Sequence, residues 1–376
     1  MIILLILLAA SALIFDVDFL FYLRNCLCRY HIGRMPYEKW KGSVYNRAVK
    51  WSKHMPVVKK TDNARYMLLD ILKGEYKDAS IQNFQTGALL LGLEDLGEDG
   101  FIGQNIKEGK WKSLSKQPDC AMLAYALLRE STNPESIRTA MDRVYKILLD
   151  AMDENGLIAY TGNPNDPHRY VDALGMVCPF LMRYSRAYGV KEAAEAAYTQ
   201  LEFYHKYGLL DGTALPNHAV NVKTKLPLGV YGWGRGTAWY FIALMDTYKE
   251  MEDTPERSQI KNWIEEAAYY YLAFQREDGG FGYILPMDSG FDSSVTSAMA
   301  WFYYECADLF DNITYQRSAE KALDKLRKVT RFNGAIDWSQ GDTKGIGVFS
   351  QTFDIMPFTQ GFALRAIALK EREKKC

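Results

Sequence analysis

From Asn83 onward the apolar residues of this chain follow two alternating helical patterns. In the first, apolar and small residues fill nearly every face: "NFQTGALLLGLEDLG", "QPDCAMLAYALLRE", "YVDALGMVCPFLMRY", "WGRGTAWYFIALMDTY", "DSSVTSAMAWFYYECADLF" and "FTQGFALRAIALKERE". Rich in Ala and Gly, these segments read as helices packed on all sides. In the second pattern apolar positions recur among charges, as in "PESIRTAMDRVYKILLDAM", "KEAAEAAYTQLEFYHKY", "SQIKNWIEEAAYYYLAFQ" and "YQRSAEKALDKLRKV". Several of these amphipathic helices run into similar turns, "DENGLIAY", "EDGGFGYI" and "RFNGAIDW", with "GEDGFIGQ" a related turn after the first apolar segment. Glycine there fits a helix stop followed by a short extended piece.

Inner apolar and outer amphipathic helices that alternate about six times, at intervals of roughly 35 to 65 residues, predict closure into a toroid of helical hairpins. The expected fold is all-α, an (α/α)6 barrel forming one domain over residues 36–376, behind an N-terminal hydrophobic segment, 1–35. An open solenoid would need polar capping repeats, yet the last inner segment, "GFALRAIAL", is as apolar as the middle ones. The long Val/Ile-rich runs of an α/β sheet are missing.

The first 23 residues, "MIILLILLAASALIFDVDFLFYL", are almost all apolar, interrupted by Asp16 and Asp18. About 20 apolar residues span a bilayer, so the segment suits a membrane anchor. It also suits a hydrophobic helix lying against the domain or the bilayer surface. No basic start marks it as a cleaved signal peptide. Arg24, Arg29 and Arg34 follow it, which by the positive-inside rule puts the large C-terminal part in the cytoplasm.

A formal net charge of -1 with well-mixed charges predicts no nucleic-acid partner. The cysteines lack the spacing of a disulfide framework, which fits a reducing compartment. The five histidines are scattered, so no metal constellation is visible. Aromatic residues make up 14% of the chain, a content that suits a core and also a carbohydrate cleft.

If the inner helices run the same way, the residues that open them share one cleft: Asp119, Asp172, Trp233, Arg235, and Asp292 with Ser293 and Ser294. A ring of helix N-termini, with Arg169, Arg235 and His218 nearby, suits an acidic sugar. Two carboxylates placed close together resist double ionisation, so one keeps its proton and can act as a general acid. That is the catalytic reading of Asp119 and Asp172. Aspartate at a helix start is also a preferred N-cap, and the tryptophans can equally be core.

The joint arrangement resembles a known family. W-x-R-x-x-x-W (Trp233, Arg235, Trp239) opens an inner helix, V-D-x-L-x-M around Asp172 lies about 60 residues earlier, and "DSSVTSAM" opens a later one. Over residues 60 to 376 these look like the unsaturated glucuronyl and unsaturated rhamnogalacturonyl hydrolases, glycoside hydrolase families 88 and 105. The resemblance implies an (α/α)6 barrel that needs no metal or cofactor and removes a terminal 4,5-unsaturated uronic acid from an acidic oligosaccharide. An aspartic acid protonates C4 of the enol ether while water adds at C5, and the hemiketal opens and expels the remaining sugar. The resemblance carries the acid/base role to Asp172 and the second aspartate's role to Asp119, although "QPDCAML" departs from the family's usual context. It makes Trp233, Arg235, Trp239, His218, Ser293 and Ser294 substrate contacts, with Tyr170 where relatives often carry tryptophan. Two alternatives fit the same barrel: two-carboxylate hydrolysis of saturated acidic glycans, and a membrane-tethered glycan-binding protein without catalysis.

Overall fold

The computed structural model describes residues 1–30, 32–59, 62, 66–79, 82–97 and 114–373. Helices α1 (Ile2–Arg29) and α2 (Tyr37–Lys53) come first, and α3 (Met67–Leu72) then sits between strands β1 (Val57–Lys59) and β2 (Tyr76–Asp78), which pair antiparallel. The next helices are α4 (Asn83–Asp95), α5 (Cys120–Arg129) and α6 (Arg138–Asp150). After β3 (His168–Tyr170) come α7 (Val171–Tyr188) and α8 (Lys191–Tyr207), then strands β4 (Ala219–Asn221) and β5 (Pro227–Leu228). The remainder is α9 (Gly234–Glu250), α10 (Pro255–Tyr271), α11 (Ser293–Phe310), α12 (Ile313–Lys328), β6 (Ser339–Gln340), β7 (Phe353–Asp354) and α13 (Pro357–Glu373).

The six all-apolar segments are α4, α5, α7, α9, α11 and α13. Each packs on the next, and α13 returns to pack on α4, so the ring closes. Closure depends on two glycines. A Cβ on Gly92 would meet the Gly361 carbonyl oxygen at 2.2 Å, and one on Gly361 would meet that of Ala88 at 2.1 Å. Only glycine lets the first and last inner helices approach this closely. The inner helices are buried all round, as their sequences require; every residue of α9 except Lys249 is buried. The outer helices α2, α6, α8, α10 and α12 bury a single stripe, such as Ala140, Met141, Val144 and Leu148 of α6.

Contacts at both ends show that the inner helices run in the same direction. At one end their starts meet: the Asn83 amide donates to Asp119 Oδ2 (2.9 Å), the Phe358 amide to Gln85 Oε1 (3.0 Å), and Ser339 Oγ lies 2.8 Å from Ser293 Oγ and 2.7 Å from Thr359 Oγ1. At the other, Arg365 of α13 binds Asp246 of α9 and Asp95 of α4, while Arg183 of α7 binds Glu250 of α9. The glycine turns are as expected, with Gly156, Gly279 and Gly334 in the left-handed region at φ 78°, 87° and 83°. The related turn "GEDGFIGQ" lies outside the described residues except for Gly97.

Helix α1 has no buried residue, and its second half touches the barrel. Arg29 makes a bidentate pair with the fully buried Asp337, at 2.6 and 3.1 Å. Of the three charges counted toward positive-inside orientation, Arg29 is therefore already matched within the protein. Among the described residues no group of His, Cys, Asp and Glu is arranged to hold a metal ion.

Candidate active site

The three short strands β3, β4 and β5 build the core of the site. Pairing of β3 with β4 sets Tyr170 opposite Ala219, and the Val171 amide donates to the His218 carbonyl (3.1 Å). This register lays His218 against the start of α7. The N-cap of α7 is Tyr170, so Asp172 falls inside the first turn and does not cap the helix. Its carboxylate faces His218, with Oδ2 3.5 Å from Nε2.

The orientation of His218 is fixed from behind. The Gly347 amide donates to Nδ1 (3.0 Å), so Nδ1 is the acceptor and the neutral ring carries its proton on Nε2, toward Asp172. Phe349 stacks on His218 (centroids 5.5 Å), Trp233 lies at 4.9 Å, and Tyr170 meets it edge-on at 5.8 Å. His218 is buried, while the Asp172 side chain keeps 15% of its surface, so at this pair the carboxylate is what solvent reaches.

Asp119 stands at the N-cap of α5 but bonds across to the neighbouring helix, its two oxygens accepting from the Asn83 amide (2.9 Å) and Ser115 Oγ (2.6 Å). Burial pushes its carboxyl above the ordinary range, against the hydrogen bonds from Ser115 and Asn83. Of the three aspartates at helix starts, Asp292 is the one the structure uses as a cap for its own helix, through the Ser294 amide (2.8 Å). Burial raises its carboxyl too, opposed by the Arg235 charge and the amides of Gln340 and Ser294.

Several expected substrate contacts lie in the framework instead. Ser293 and Ser294 have no exposed surface, and their hydroxyls bond Ser339 and Asp292; being spent on the helix start, they show nothing to a sugar. Trp239 is a core ring between Phe84 (5.5 Å) and Phe358 (4.9 Å). Trp233 is 1% exposed, with Nε1 bonded to Gln340 Oε1 (3.0 Å). Phe349 lies over it at 5.1 Å and is the more exposed ring. The guanidinium of Arg235 bonds the carbonyls of Gln340 and Gly341 and lies 3.5 Å from Asp342. Arg169 is likewise committed, to Asp153 (2.7 Å) and nearby carbonyls. Trp233 and Arg235 thus hold the start of the loop that follows Gln340 and walls the site.

Sequence reasoning missed Tyr160, Asp342 and Phe349. Tyr160 is largely buried, and its hydroxyl is pushed up first by that burial and then by the negative charges of Asp172, Asp119 and Asp342. It lies beside Tyr170 with centroids 5.8 Å apart. A signal for it existed: Tyr160 ends the glycine turn "DENGLIAY", one of the repeated turns. Asp342 accepts from Gln82 Nε2 (2.5 Å) and, like Phe349, sits in a loop without periodicity.

The comparisons agree with this architecture. Residues 31–371 match Glycosyl Hydrolase Family 88. Among curated proteins no sequence matches the chain. The crystal structure of a possible member of the GH105 family from Klebsiella pneumoniae superposes with a TM-score of 0.76 at 16% identity, covering 90% of this chain and 94% of that one. An unsaturated glucuronyl hydrolase from Bacillus sp. GL1, responsible for the degradation of glycosaminoglycan, gives 0.66 at 16% identity over 91% and 97%. One specific for heparin gives 0.68 at 14% over 91% and 99%. At such identities the likeness carries the fold, and the family match carries the membership.

Proposed function

Since the chain belongs to glycosyl hydrolase family 88 and is a glycoside hydrolase, we propose that it removes a terminal 4,5-unsaturated uronic acid from an acidic oligosaccharide, with Asp172 as general acid and base. The observation that carries this reading is the placement of Asp172: in the first turn of α7, free of capping, partly exposed, and faced by the Nε2 proton of His218.

In this mechanism the Asp172 carboxylic acid gives its proton to C4, and the electron pair of the C4=C5 bond forms the new C–H bond. Water adds its oxygen at C5 and returns a proton to the carboxylate. The C5 hemiketal opens to a ketone, leaving a hemiacetal at C1 that expels the remaining sugar. The sum is one water consumed and one glycosidic linkage broken. His218 is a positioning residue: its Nε2–H stabilises the carboxylate that exists between the two proton transfers. Asp119, with its raised carboxyl, and Tyr160 line the same mouth. Tyr170 and Phe349 offer the ring surface against which a sugar packs.

Unsaturated uronyl disaccharides made by several polysaccharide lyases absorb in the ultraviolet through their conjugated double bond. The full chain is expected to abolish that absorbance, and Asp172→Asn to slow the loss by about 10²–10⁴-fold. Undiminished activity in Asp172→Asn would remove Asp172 from the reaction. Release of sugar from saturated glycans alone would favour two-carboxylate hydrolysis.

A further inference from the structure

Helix α1 exposes apolar side chains in every direction. From Ile2 to Leu8 each large residue keeps more than half of its surface, which covers nearly two turns. A protein partner would cover one stripe of such a helix; a helix apolar all round calls for an apolar medium on all sides. Among the described residues α1 is the one helix long and apolar enough to cross a membrane.

The base of α1 is built into the barrel. Asp18, which interrupts the apolar run, accepts from the Met67 and Leu68 amides (3.0 and 3.3 Å) at the start of α3. Arg29 pairs with Asp337, and the Phe332 amide donates to the Cys28 carbonyl (3.3 Å). These bonds make the helix part of the fold.

Beside that base lies a second exposed apolar surface. Phe15 meets Tyr66 (centroids 6.3 Å), and Tyr66, Val57, Ile71 and Leu72 are all exposed, Leu72 by 74%. Buried Asp70, paired with Lys59 (2.8 Å), holds α3 in this attitude. The segment also touches the wall of the site: Asp62, just ahead of α3, accepts from Ser350 Oγ (2.7 Å) and the Gln351 amide (2.9 Å), next to Phe349.

We propose that α1 is retained in the working enzyme as a bilayer anchor and that α3 lies on the same bilayer surface, so that the barrel is seated with its substrate mouth beside the membrane. The occupant of the exposed surface is the lipid bilayer. The seat is independent of the hydrolase reading; only its consequence, a preference for glycan ends held at the membrane, rests on that reading.

The test uses the full chain reconstituted in vesicles of phosphatidylethanolamine and phosphatidylglycerol. Chain recovered from host membranes is expected to retain residues 1–29 by intact mass. In vesicles, amide exchange across residues 66–73 is expected to slow by about tenfold relative to detergent. The double variant Ile71→Asp, Leu72→Asp is expected to lose that protection and still float with the vesicles through α1. A recovered chain lacking α1, unchanged exchange in vesicles, or protection that survives the double variant would each overturn the proposal. Thermal unfolding confirms that the variant barrel is folded. Hydrolysis of soluble unsaturated disaccharide, followed in the same samples, separates the two readings, since its absence beside intact protection rejects the hydrolase and leaves the seat.

Discussion

A single histidine faces the aspartate proposed as general acid and base. His218 accepts from Gly347 at Nδ1 and faces Asp172 with Nε2 at 3.5 Å, so its proposed contribution is a polar contact that favours the carboxylate form. Removing it by His218→Ala is expected to lower kcat by on the order of tenfold, as for loss of one polar contact to a charged group, with KM little changed. A wild-type kcat would show that the carboxylate is positioned without it. Asp172, Asp119 and Asp292 show what was legible at this scale. All three stand at helix starts in the sequence, and aspartate suits both catalysis and capping there. Only the coordinates separate a true cap (Asp292), a bridge to the neighbouring helix (Asp119) and a non-capping carboxylate that faces His218 (Asp172). The burial of Trp233, Trp239 and Arg235 was equally hidden, because a tryptophan or arginine at the mouth of a helix has the same letter whether it faces a cleft or a loop.

Between residue and barrel stands the loop between β6 and β7. Arg235 grips its first carbonyls, Gly347 reaches His218, and Phe349 covers Trp233. Nothing periodic marks this loop, so no pattern argument finds it, whereas the inner helices, apolar on every face, are read directly from the sequence. If Phe349 is the ring a substrate meets, Phe349→Ala is expected to raise KM by roughly two- to tenfold with kcat nearly unchanged, the signature of lost uniform binding. A fall in KM would instead make Phe349 an obstacle that substrate displaces.

Far from the site, the barrel is locked by charges. Arg365, itself without exposure, makes a bidentate pair with buried Asp246 (2.7 and 2.8 Å), bonds Asp95 (2.8 Å) and lies over Trp301. It ties α13, the last inner helix, to α4 and α9. Arg365→Ala leaves buried Asp246 without its partner, while Asp95 keeps Arg129, and is expected to cost about 3–5 kcal/mol in denaturant unfolding; a cost near zero would show that the ring closes by packing alone. At the same end, burial and the neighbouring Glu130 push Glu94 up to about 8. A carboxyl raised on folding stabilises fully below its unfolded value of 4.5, and that contribution is lost as pH rises through about 8. Glu94→Gln removes the titration, so its Tm advantage over wild type is expected to grow between about pH 5 and about pH 9. A constant difference would mean that Glu94 titrates normally. Six-fold alternation and closure could be read from the chain; these cross-ring charges could not, since their partners lie up to 270 positions apart.

The central claim concerns the substrate's double bond, and a matched pair of disaccharides tests it most directly: one bearing the 4,5-unsaturated uronate at its non-reducing end, the other its saturated counterpart. With the full chain, ultraviolet absorbance and reducing-sugar release are followed together. The account predicts that the unsaturated disaccharide loses absorbance as it releases sugar, while the saturated one stays intact. Equal cleavage of both, or release of sugar with the double bond preserved, would contradict it.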